Sequence, residues 1–263
     1  VKVKTNINPY SACAVPVDIY YNNDRVGKAT AFFVENNGRL FLISNWHVFS
    51  GRDPKTGQPK DQTNYTVPTH LKIKYHRSPD FGIIEHKIAL NSTDGSPKWI
   101  QSKKYGQRVD VAAIEVLFHR TYWPYTVTGS PQARDMMISV GSDIFVLGFP
   151  LGVMTTGLFP VWKRGSVATE FEIDANNLPS FIIDTATREG MSGSPVIARA
   201  NGSYLSANGN SIHVVGLAYR FLGIYSGRYV GGIDEAHLGI VWKEATIDDI
   251  LREPVPGTFD TEQ

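Results

Sequence analysis

Short apolar runs broken at close intervals by Gly, Asn and Pro dominate this chain. "CAVPVDIYYN", "GKATAFFVEN" and "RLFLISNWHV" follow one another up to Val48. Each is too short for a buried helix and rich in β-branched and aromatic residues, so each reads as a strand. "ENNGR", residues 35–39, carries the Asn-Gly signal of a two-residue hairpin turn. "HLKIKYH", "FGIIEHKIAL" and "VDVAAIEVLF" extend the first group. A second comprises "DIFVLGFP", "VWKRGSVATEF", "SFIIDTAT", "SPVIAR", "IHVVGLAYRF" and "HLGIVWK". An all-β fold follows from this punctuation.

One segment has helical period. Thr246 is the expected N-cap with Asp249 three residues on, and Ile247, Ile250 and Leu251 share a face. "EPVPGTFDTEQ" should end the helix and fray. Residues 50–69 and 91–108 are polar and rich in breakers, so both read as surface loops, and 122–138 reads as the connector between two β units. The resulting division is 12–122, 134–243 and a helix over 245–252.

At 263 residues the chain can bury a substantial core. Cys13 is its only cysteine, so no internal disulfide holds it together and it is not a disulfide-stapled secreted scaffold. A net charge of +1 gives no electrostatic footprint for nucleic acid or a membrane surface, and Lys98, Lys103, Lys104 and Arg108 read as a solvated loop. No apolar run reaches the roughly 18 residues of a membrane span. Residues 1–30 lack the apolar core of a secretory signal, which points to the cytoplasm unless a leader has been removed. The histidines show no metal-site spacing and neither a P-loop nor a dinucleotide fingerprint occurs, so no metal or cofactor is expected.

Chemistry concentrates in "REGMSGSPV", residues 188–196. A serine between glycines is ordinarily a turn residue. As a nucleophile, Ser192 requires a base to take its proton and an acid to orient that base. His47 closes the run "RLFLISNWHV", placing an imidazole at the edge of a β scaffold, and Asp110 opens "DVAAIEV". A carboxylate drawn toward a core needs hydrogen-bond donors, and an imidazole N–H is one.

The order His, Asp, Ser is that of chymotrypsin and not of subtilisins or α/β-hydrolases. "ISNWHVF", "DVAAIEV" and "GMSGSP" resemble the histidine, aspartate and serine motifs of chymotrypsin-like serine peptidases. "VLGFPLG" followed by "KRGSVATE" is similar to their bacterial, glutamyl-endopeptidase-like branch. The resemblance implies two packed six-stranded antiparallel β-barrels with a short C-terminal helix and the site in the crevice between them. It also implies a catalytic triad of His47, Asp110 and Ser192 acting on polypeptides through an acyl-enzyme, with the Gly190 and Ser192 amides as the oxyanion hole. Family alignment lines the primary pocket with Ala186, Thr187 and Arg188 on one wall and Tyr219, Arg220 and Phe221 on the other.

Two departures matter. Met191 stands where animal digestive members carry the aspartate that pairs with a cleaved N-terminus, so that activation switch is missing. Ala186 replaces the trypsin aspartate, removing the usual counter-charge for Lys or Arg. Arg188 and Arg220 would favour an acidic residue if they face the pocket, yet Ala218 stands where glutamyl endopeptidases use histidine. A latent peptidase-fold module that binds peptides or partner proteins is the competing expectation, and an esterase or transferase on the same scaffold a third.

Overall fold

The computed structural model describes residues 7–64, 66–228 and 237–258. A single-turn helix α1 (Pro9–Cys13) leads into seven strands: β1 (Ala14–Tyr21), β2 (Asp24–Asn36), β3 (Arg39–Ser44), β4 (His70–His76), β5 (Ile83–Ala89), β6 (Trp99–Gln101) and β7 (Ala112–Val116). A second turn of helix, α2 (Trp46–Ser50), follows β3. Six more strands come after the connector: β8 (Asp143–Gly148), β9 (Val161–Val167), β10 (Ser180–Asp184), β11 (Pro195–Leu205), β12 (Ser211–Arg228) and β13 (Leu238–Lys243). Helix α3 (Glu244–Arg252) and a two-residue strand β14 (Val255–Pro256) complete the described chain.

The expectation of two six-stranded barrels is corrected here. The first sheet has eight strands in the order β14-β6-β7-β3-β2-β1-β4-β5, and its edge strands β14 and β5 do not pair, so it stays open. Two segments account for the extra strands. Residues 91–108 are not all loop, because Trp99–Gln101 pairs with β7. The expected frayed tail returns instead: Val255 pairs with Gln101, Pro256 with Ile100, and the Gly257 amide donates to the Trp99 carbonyl at 2.8 Å. Gly257 is needed there, since a Cβ would lie 2.3 Å from the buried Trp99 ring. The strands of the second sheet pair in the cycle β10-β13-β12-β11-β8-β9, with β9 meeting β10 at Ile183–Val167.

Three apolar clusters hold these layers. Val15, Phe33, Leu42, Trp46 and Trp99 fill the first sheet, and Val146, Phe181, Met191, Val196 and Val241 fill the second. Phe32, Phe145, Phe221, Ile224, Ile247 and Ile250 form a cluster shared by both halves, so α3 buries the apolar face its period foretold. Its N-cap is Lys243 and not Thr246, because β13 runs straight into the helix; Thr246 is buried inside the first turn.

Candidate active site

His47 does not end a strand. It sits on α2, where Trp46, Val48 and Phe49 are buried in the first core and the Trp46 indole donates to Gln101 Oε1 at 2.7 Å. Those anchors leave the imidazole pointing the other way, with its side chain 10% exposed. Gly51 stops the helix in the left-handed region at φ 69°, where a Cβ would also strike Pro68.

Asp110 lies just before β7, after a 3-10 turn at Gly106–Arg108, and is 2% exposed. A carboxylate so deeply buried needs donors on all sides. The His47 amide donates to Oδ1 at 2.9 Å, the His47 ring meets Oδ2 through Nδ1 at 2.7 Å, and the Ser226 hydroxyl donates to Oδ2 at 2.5 Å. Since an ionised carboxylate only accepts, Nδ1 carries the hydrogen and Nε2 keeps a free lone pair. The Asn45 amide holds the Asp110 carbonyl at 2.8 Å, tying both ends of this pair to one corner of the first sheet.

Ser192 comes from the other half. Its loop is held from three directions: the Thr30 amide of β2 donates to the Ser192 carbonyl at 2.8 Å, the Gly193 amide to Tyr225 of β12 at 2.8 Å, and the Leu151 amide to Glu189 at 2.7 Å. The Thr30 hydroxyl donates to the Gly190 carbonyl at 2.9 Å. Gly193, at φ 86°, packs so closely that a Cβ would sit 2.0 Å from the Thr30 carbonyl. No other residue fits that contact.

Met191 is fully buried in the second core. The loop is therefore anchored by apolar burial, about 1.5–3 kcal/mol for such a side chain, at the position where the resemblance implies a carboxylate.

Ser192, Gly190 and His47 line one cavity of about 450 Å³. Among the described residues no hydrogen bond joins the Ser192 hydroxyl to His47, and neither the Gly190 nor the Ser192 amide donates to a protein acceptor. The arrangement thus presents a neutral imidazole nitrogen, a hydroxyl and two free backbone donors to one space. The chemical capacity is proton transfer and stabilisation of an oxyanion. Among the described residues no cluster of three His, Cys, Asp or Glu exists that would hold a metal ion.

The expected pocket walls fare differently. Thr187 is buried beside Ser192's loop with its hydroxyl bonded to that of Tyr225; Ala186 is half-buried, and Arg188 is exposed, its guanidinium on the Thr187 carbonyl. Burial pushes the Tyr225 phenol up. Tyr219, Arg220 and Phe221 lie elsewhere, away from the cavity. Tyr219 accepts from Asn8 at 2.6 Å, Arg220 turns to the Met136 carbonyl and the Phe171 ring, and Phe221 is buried against Phe32.

The β12 residue that reaches Asp110 is Ser226, absent from the sequence expectation. β12 is 18 residues long and paired through bulges on both sides, so its register against the site is a tertiary outcome. The only local signal is the small pair Ser226-Gly227 closing an apolar run.

Solved structures with this fold include an HtrA-type protease, AlgW with a tripeptide, at 12% identity and TM-score 0.51, covering 92% of this chain and 60% of that one. The serine endoprotease from Yersinia pestis matches at 12% identity and TM-score 0.52, covering 95% of this chain and 67% of that one. Rv3671c from M. tuberculosis H37Rv, in an inactive mutant form, matches at 16% identity and TM-score 0.46 over 93% of this chain and 86% of that one. No curated protein sequence matches. The profile of the trypsin-like peptidase domain matches residues 29–205, which run from the strand holding Thr30 through His47 and Asp110 to beyond Ser192. On that match the chain belongs to the trypsin-like peptidase family.

Proposed function

We propose that the protein is a serine endopeptidase working through His47, Asp110 and Ser192. The observation that carries this reading is the buried His47–Asp110 contact of 2.7 Å, which leaves Nε2 free in the cavity that Ser192 also lines. Ser192 Oγ attacks the scissile carbonyl carbon while Nε2 takes its proton. The carbonyl oxygen becomes an oxyanion facing the Gly190 and Ser192 amides, and His47 then protonates the leaving amine. Water, deprotonated by the same imidazole, hydrolyses the acyl-enzyme and returns the hydroxyl to Ser192. Asp110 holds the ring tautomer and stabilises the imidazolium, and Ser226 and the His47 amide hold Asp110.

Ser192→Ala is expected to abolish peptide and ester hydrolysis and labelling by an organophosphonate while the protein stays folded by circular dichroism. Equal labelling of the variant removes Ser192 from the mechanism. A second reading, a latent module that binds peptides, is favoured by one observation: no hydrogen bond links Ser192 to His47. Hydrogen bonds of this kind often form only with substrate bound. A pre-steady-state burst of acyl-enzyme supports the peptidase; binding without a burst supports the module.

A further inference from the structure

Lys28 connects the candidate site to a groove that the reaction does not use. It lines the cavity holding His47 and Ser192, a second of about 310 Å³ with Leu151 and Glu189, and a third of about 500 Å³ between the outer face of β1, β2, β4 and β5 and the loop carrying Phe149, Gly152 and Met154. Across that third cavity the register sets Lys28 opposite Asp18, Asp18 opposite Lys72, and Lys72 opposite Lys87. Four neighbouring strands thus present three lysines and one aspartate in a single row.

Five Lys or Arg side chains and two carboxylates line this groove. Both carboxylates are engaged with other cations: Asp18 with Arg25 at 3.5 Å and Glu85 with Lys74 at 2.7 Å. Lys28, Lys72 and Lys87 have no carboxylate partner among the described residues. Like charges directly opposite across a strand pair weaken a sheet, so the Lys72–Lys87 pair serves no purpose in folding. The local field is also felt nearby: burial, then Lys87 and Lys72, lower the proton affinity of His70. For a chain of net charge +1 this is a concentrated cationic patch, continuous with the cavity at Ser192.

The opposite wall is apolar. Leu151 is 65% exposed and Met154 51%, beside the half-exposed Val153. We propose that this groove docks a flanking segment of the polypeptide substrate that combines carboxylates with apolar side chains, selecting substrates that are acidic beyond the residues at the scissile bond. The proposal rests on the peptidase reading for the word substrate. Glu189 stands at the junction with the active cavity, so the acidic preference begins past it, over Lys28, Lys72 and Lys87. A nucleic-acid strand fits less well. The Tyr20 ring is already taken up by Lys72, 4.3 Å from its centroid, and by stacking on His70, so it offers no free platform for a base.

The test uses the full chain with Ser192→Ala, so that nothing turns over, and fluorescence anisotropy with three labelled probes: a Glu/Leu peptide, its Gln/Leu counterpart, and single-stranded DNA of equal charge. The Glu/Leu peptide is expected to bind at least about tenfold more tightly than the Gln/Leu peptide, an advantage lost in Lys28→Gln/Lys72→Gln/Lys87→Gln and reduced by salt. Equal binding of the two peptides, an unaltered triple variant, or DNA binding as tightly as the acidic peptide overturns the proposal. Melting curves of the triple variant should match the parent, since the row holds no ion pair. In the unsubstituted chain, Lys72→Gln/Lys87→Gln should raise KM for acidic peptides while turnover of a short neutral ester is unchanged. Cleavage without acid dependence sinks the docking and leaves the peptidase standing. Lysine-dependent binding with no cleavage of any peptide sinks the peptidase and leaves the docking.

Discussion

The corner that holds His47 and Asp110 and the loop that holds Ser192 are built in opposite ways. Every part of the His47–Asp110 pair is supported from within the first sheet, by the Asn45 amide, the His47 amide and the buried Trp46, with Ser226 the one contribution from β12. The Ser192 loop owns little of its geometry. It is a turn with Gly190 and Gly193 at positive φ, and its place is set by Thr30 on one side, Tyr225 on another and the burial of Met191 beneath. One half carries a preformed acid–base pair; the other carries a nucleophile whose position depends on how the halves dock. Alignment of the candidate triad is therefore a property of the seam between them.

The comparison breaks first at the acid. Asp110→Asn keeps the shape of the corner but removes the charge that holds the ring tautomer, and kcat should fall by about 10⁴ with the melting temperature little changed. A fall of less than tenfold in steady-state assays would show that the preformed pair is not the catalytic element.

Gly193→Ala comes next. A methyl group there meets the Thr30 carbonyl at 2.0 Å and the Ser44 hydroxyl at 2.4 Å, so the loop must move. Because a displacement of about 1 Å can cost 10²-fold, kcat should fall by at least about that factor, with organophosphonate labelling slowed in parallel. The His47–Asp110 side predicts no such sensitivity, and unaltered kinetics would refute the idea that the seam positions the nucleophile.

Thr30→Val sharpens the same point. It keeps the backbone donor to Ser192 but removes the hydroxyl that donates to the Gly190 carbonyl and accepts from the Phe149 amide at 3.3 Å. One to two hydrogen bonds of ordinary worth amount to about a tenfold loss, expected in kcat rather than KM and restored by Thr30→Ser. Equal loss in the valine and serine variants would assign Thr30 to packing alone.

The smallest effect concerns Cys13, in the core shared by both halves, where complete burial pushes the thiol up to about 12. A raised folded value means that the unfolded chain loses its proton first. Stability is intact below about pH 9, the ordinary thiol range, and declines as pH rises through the folded value. At pH 10 the loss should be about 1 kcal/mol in denaturant titrations. Native alkylation of Cys13 near neutral pH should be slow; fast alkylation without loss of structure would show that the seam opens locally.

How much was legible follows from where the information lies. The strands of both sheets announced themselves by local alternation, and α3 by its period, because burial on one face leaves a pattern in nearby residues. His47, Asp110 and Ser192 were found by motif order, and the structure sets the first two in contact and the third on the same cavity. β6 and β14 stayed hidden because short edge strands in polar surroundings carry almost no pattern. Tyr219, Arg220 and Phe221 were assigned to the wrong surface because a long alternating strand offers several equivalent registers. Only the hydrogen bond from Ser226 to Asp110 marks the one that is used.

By itself the amino-acid order determined the class of elements, the chemistry present at three positions, and the replacement of an ionic anchor by Met191, since each depends on the residue and its near neighbours. The docking of the two halves was decided only in three dimensions. An open eight-stranded sheet, the choice of Ser226, the grip of Thr30 on the nucleophile loop and the lysine row all arise from residues far apart in the chain. Their free energies come from contacts formed only once distant strands pair, and no local pattern records such pairing in advance.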